Sequence, residues 1–141
     1  MRPLIVLISL TACAKASAPP NPAPLCYALE WGDSTWASLL PRSARFDTGR
    51  DTLMPVNYNY LSLKPVNQRD TVGWTHLMNA WWTQGRGDSM LIMLDGVDSG
   101  WRAHVHRFGD SLSGMATYSA VNDQQAPMPV RGRRFACPEV L

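Results

Sequence analysis

From Leu25 onward, large apolar residues recur at every second position in short runs, and Gly, Asp, Ser and Pro separate the runs. A period of two puts neighbouring side chains on opposite faces of a strand, so each run reads as half-buried β structure. In Leu25–Trp31 the odd positions carry the bulk. Ala44 and Phe46 alternate with Ser43, Arg45 and Asp47; Val56, Tyr58 and Tyr60 alternate with Asn57 and Asn59. Trp74, His76, Met78, Ala80 and Trp82 form one face of the next run, opposite Leu77, Asn79 and Trp81. The stretch 90–94 is continuously apolar, as in a strand covered on both sides. Trp101, Ala103 and Val105 oppose Arg102, His104 and His106, and Leu112, Gly114, Ala116 and Tyr118 oppose Ser113, Met115 and Thr117. In the last run, 130–137, Val130, Gly132 and Arg134 share a face opposite Arg131, Arg133 and Phe135. No window of about 11 residues carries a helical period.

The punctuation is as informative as the runs. Residues 85–89, 95–100 and 109–111 are Gly-, Asp- and Ser-rich, the composition of hairpin turns, in which Gly supplies positive φ and Asp or Ser bonds back to its own backbone. Consecutive hairpins from Trp74 to Tyr118 make an antiparallel meander. One helical turn is expected over 33–40, capped by Asp33 or Ser34 and stopped before Pro41. Charged residues make up 17% of the 141-residue chain, below the usual quarter, which suits half-buried strands better than solvated helices. A formal charge of +2 is too small to imply nucleic-acid binding by charge alone.

The first residues point to a destination. Arg2 precedes the apolar run 4–10, which is far shorter than the roughly 20 residues that a membrane-spanning helix needs and matches the core of an export signal. Leu10-Thr11-Ala12-Cys13 resembles the lipobox of bacterial lipoproteins. The resemblance implies a signal peptide over 1–12 and a Cys13 that becomes the mature N-terminus and carries the acyl chains (palmitate among them) that anchor it in a membrane. Residues 13–24, with four prolines and no large apolar side chain after Cys13, form the tether, and 25–141 form a single domain. Ala14, where lipoproteins kept at the inner membrane often carry Asp, gives the outer membrane a weak preference. The alternative is an ordinary signal cut after Ala16, which leaves a secreted or periplasmic protein.

The chain has three cysteines. With Cys13 lipidated, Cys26 and Cys137 remain as a pair, and an oxidising envelope would join them. They sit on the first and last runs. Eight antiparallel strands closed into a barrel put those runs side by side, and the alternation puts both sulfurs outside it. A two-sheet β-sandwich with neighbouring terminal strands satisfies the same constraint. In strand count, meander and terminal bridge, residues 25–140 resemble lipocalin-like (calycin) barrels, which implies an all-β small-ligand binder. The stretch 109–114 resembles hairpins of small exported bacterial proteins.

Candidate chemistry is sparse. His104 and His106 share a strand face with Arg102, which disfavours a metal cation there, and no metal or other cofactor is expected. There is no Gly-x-Ser-x-Gly elbow, and Asp33, Asp88, Asp95, Asp98 and Asp110 all stand in turn contexts, so a hydrolase is a remote alternative. Arg86-Gly87-Asp88 lies in a turn where Gly and Asp are expected in any case. Trp81 alternates outward as an exposed apolar patch. Arg134 alternates inward, where a guanidinium needs an anionic partner such as a bound carboxylate or phosphate. The chain carries six tryptophans. The candidate pocket is Trp74, His76, Trp82, Trp101 and Tyr118, with Arg134. The expectation is an envelope-anchored, non-enzymatic domain that holds a small apolar or amphipathic ligand. The alternative is an envelope protein with a filled core whose outer surface contacts another protein.

Overall fold

The computed structural model describes residues 22–32, 37–56, 58–59, 64–65, 73–121 and 123–139. The leader, Cys13 and the helix cap at Asp33 or Ser34 lie outside them. Ten strands are present among the described residues: β1 (Leu25–Trp31), β2 (Ser43–Asp47), β3 (Thr52–Met54), β4 (Tyr58–Asn59), β5 (Lys64–Pro65), β6 (Asn79–Gln84), β7 (Ser89–Asp95), β8 (Ser99–Phe108), β9 (Ser111–Ala120) and β10 (Asp123–Phe135). Eight of them close into an antiparallel barrel in the order β1-β10-β9-β8-β7-β6-β3-β2, and β4 and β5 pair separately. The fold is the barrel, not the sandwich. Closure joins the two ends of the domain: Cys26 stands opposite Phe135 and Trp31 opposite Val130.

Two local expectations are corrected. The third barrel strand is β3, not the run 56–60; β3 is three residues long with a single buried side chain, Leu53, too little to carry a visible period. The run that begins at Trp74 is a turn before it is a strand. Gly73 has φ +82°, and the Leu77 amide donates to the Trp74 carbonyl at 3.1 Å, so regular pairing starts only at Asn79. The expected helical turn is a short 3-10 turn, Ala37–Leu39.

The barrel is apolar inside and polar outside, the reverse of a barrel that spans a bilayer. Along β8, Trp101, Ala103 and Val105 are buried while Arg102, His104 and His106 are exposed. The interior is filled. Tyr27, Phe46, Ile92, Ala116 and Val130 are fully buried, and Phe46 takes Tyr27 and Trp82 edge-on at centroid separations of 5.4 and 5.5 Å. Edge-to-face packing suits the ring quadrupoles. Gly114 lets β8 and β9 close up: a Cβ there would run into the backbone of His104 and Val105. Outside, Trp81 faces Met93 across the β6–β7 pair and leaves Met93 7% exposed.

The two ends of the barrel differ. At one end β1 begins and β10 finishes, and tight turns at 48–51, 85–88 and 109–110 join the other strands. There Cys26 and Cys137 form a disulfide with Cα atoms 5.2 Å apart, as the expected closure requires. Such bridges belong to oxidising, non-cytoplasmic compartments. This is the staple end. The long connections 32–42 and 55–78 leave from the opposite end, which carries the cleft.

Candidate functional site

The cleft exists because one seam of the barrel is short. β3 and β6 share a single register pair, Thr52 with Trp81. Below that pair the seam is held by two bonds from Trp82: its amide to the Asp51 carbonyl at 3.0 Å and its indole to the Asp47 carbonyl at 3.2 Å. Above it the strands diverge around a cleft of about 500 Å³, with Met54 and Pro55 on one wall and Trp74, Leu77, Met78 and Ala80 on the other. The lining is mostly apolar. Trp74 is fixed by its indole, which donates to the Ser43 carbonyl at 3.3 Å, so its ring braces β2 while one face lines the cleft. The Met78 amide bonds to the Asp95 carbonyl at 2.8 Å and anchors the same wall to β7.

A smaller crevice of about 100 Å³ adjoins it through Leu77, which lines both. Trp101 and Tyr118, tilted against each other at 4.9 Å, line it with the buried Leu40, and the exposed Leu39 and His76 form its rim. A rim imidazole beside an apolar floor offers one polar handle to a mostly apolar guest. Gly73 locks the rim together, since a Cβ there would strike the Leu40 carbonyl and the Pro41 nitrogen. A second indole, that of Trp31, donates to the Pro41 carbonyl at 2.7 Å.

Of the residues expected to line a pocket, His76, Trp101 and Tyr118 meet in the crevice, and Trp74 lines the adjoining cleft. Trp82 does not join them; it is a core residue, packed on Phe46. Arg134 lies at the staple end. Its strand phase is inward, as for Val130 and Gly132, but the barrel finishes there and the side chain leaves to solvent, 47% exposed. It pairs with Asp110 at 3.9 Å, and its amide donates to the Asp110 carbonyl at 2.7 Å. Sequence reasoning missed Met54, Pro55 and Leu77, and placed Leu77 on an outward face.

The staple end has its own electrostatics. Arg107 reaches Asp88 at 3.8 Å in a second loose ion pair. Tyr27 is fully buried, and its hydroxyl has no hydrogen-bond partner among the described residues. Burial pushes the phenol above its ordinary value of 10.0, while the Arg107 and Arg134 guanidiniums pull it down and Asp110 pushes it up. His104 and His106 point outward from β8, and no metal-binding cluster occurs among the described residues. No family model, curated protein or solved structure matches the chain.

Proposed function

We propose that this chain is an exported lipoprotein, acylated on Cys13, whose barrel holds a small apolar or amphipathic ligand in the cleft between β3 and the turn at 73–78. One observation carries the ligand reading: the cleft is mostly apolar, opens to solvent, has a polar rim and, at about 500 Å³, falls in the size range of small-molecule sites. It differs from the lipocalin-like expectation in place. The guest would sit at the mouth, against Trp74 and Leu77, because side chains occupy the barrel axis. The lipobox and the Pro-rich tether support the anchor.

The two parts have separate tests. Mass spectrometry of the protein recovered from membranes should find acyl chains on Cys13, and Cys13→Ser should release it to the soluble fraction. Titrating the mature Cys13→Ser chain with an amphipathic fluorophore should quench tryptophan emission saturably at one-to-one stoichiometry; a linear, unsaturable response would refute the cleft. The filled interior favours a second reading, a structural envelope protein that uses its outer surface, and that reading expects no saturable response.

A further inference from the structure

The staple end is where the chain joins its tether, and it is built differently from the rest of the surface. Pro22 and Pro24, in the last residues of the tether, lie there: the Thr48 hydroxyl donates to the Pro22 carbonyl at 2.6 Å, and the Pro24 carbonyl oxygen lies 3.4 Å from the disulfide sulfur of Cys137. From Pro22 the chain back to Cys13 spans at most about 30 Å fully extended. A lipid on Cys13 would therefore attach the molecule to the bilayer through this end of the barrel.

The same end exposes two phenylalanines. Phe108, beside the 109–110 turn, is 66% exposed, and Phe135, at the end of β10, is 38% exposed. Both are outward-facing residues on strands separated only by β9. Arg86, on the β6–β7 turn, and Arg133, two residues before Phe135 on β10, are exposed at the same end. Of the carboxylates of this end, Asp88 and Asp110 face Arg107 and Arg134, Asp47 accepts the Gly49 amide at 3.0 Å, and Asp51 is exposed on the 48–51 turn. The opposite end carries Asp95, Asp98 and Asp123, with Arg42 and Arg131 on other strands there. Exposed rings and guanidiniums at one end suit the boundary of a bilayer with anionic headgroups, where the ring enters the acyl edge and the cation meets phosphate.

We infer that the staple end is a membrane-facing surface, with Phe108 and Phe135 seated in an anionic phospholipid interface and Arg86 and Arg133 on its phosphates, so that the cleft opens away from the membrane. This rests on the lipid-anchor reading, but its test is independent of that reading's outcome. The full chain is reconstituted into phosphatidylglycerol-containing vesicles, and amide exchange is compared with that in phosphatidylcholine vesicles. Exchange at the turns 48–51, 86–88 and 109–110 should slow several-fold with phosphatidylglycerol, while 97–98 and 121 at the far end are unchanged. The double variant Phe108→Ser, Phe135→Ser removes two outward-facing rings outside the core cluster; it should stay folded and attached and lose the slowing. Equal exchange in both vesicles, protection at the far end, or protection that survives the double variant would overturn the inference. If Cys13 carries no acyl chain yet the slowing appears and needs the phenylalanines, the anchor reading fails and this surface stands; an acylated chain without the slowing gives the converse.

Discussion

The two ends of this barrel are closed by different means. The staple end has tight turns, a disulfide across the chain termini and paired charges; the cleft end has long connections, a seam of one register pair and an apolar cavity. An eight-stranded barrel is wide enough either to be filled by its own side chains or to hold one small ligand; here side chains fill it, so a recognition site forms where strands stop or part. Here they part between β3 and β6. Covalent and electrostatic ties gather at one end, where a smaller and mostly polar hollow of about 300 Å³ lies, and the other end carries the larger, mostly apolar cleft.

Removing the staple should have the largest effect. The bridge closes a loop of about 110 residues, and the variant Cys26→Ala, Cys137→Ala should lose about 4–5 kcal/mol of stability by urea titration, in the chain-entropy account. Bound-state shifts at the cleft should be unchanged under conditions where the variant stays folded. Next comes Gly73→Ala, which forces a side chain onto a φ of +82° and against Leu40 and Pro41. It should cost roughly 2–3 kcal/mol and weaken fluorophore binding, because both walls of the crevice move. Trp74→Ala should cost about 1–2 kcal/mol, from lost packing and one indole bond, yet lower fluorophore affinity at least about tenfold. A variant that binds normally would place the guest elsewhere.

The smallest effect belongs to Tyr27. Below its ordinary value near 10 the phenol is neutral both folded and unfolded, so it gives stability no pH dependence there. As pH rises past that value the unfolded chain ionises first, and stability falls until the folded phenol also ionises. Tyr27→Phe should therefore lie within about 1 kcal/mol of the parent at neutral pH, since the buried hydroxyl has no partner among the described residues to lose. It should flatten the alkaline part of the profile measured by thermal unfolding.

What the sequence made legible follows from how each feature is encoded. Inward alternation is repeated along β1, β8, β9 and β10, so the barrel and its terminal bridge could be read directly. β3 could not, because a three-residue strand with only Leu53 inward has no period. The alternation of Trp74, His76 and Met78 is real, but Gly73 turns the chain, so those residues became the wall and rim of a site rather than one strand face. Arg134 shows the complementary limit: alternation gives a side chain's phase but not where the barrel finishes, and beyond that point an inward phase leads to water. Trp101 and Tyr118 were legible together because their register is regular, opposite each other across β8 and β9. The cleft itself was not, since it comes from a seam that stops early.

The central claim is that the guest binds at the cleft end while the barrel axis stays filled. Nitrogen-labelled protein titrated with an amphipathic ligand tests it through indole N–H signals. The account predicts saturable shifts at Trp74 and Trp101, with Trp82 and the amides of Leu112 and Val130 unmoved. Shifts centred on Trp82, Leu112 and Val130 would place the ligand inside the barrel and contradict it.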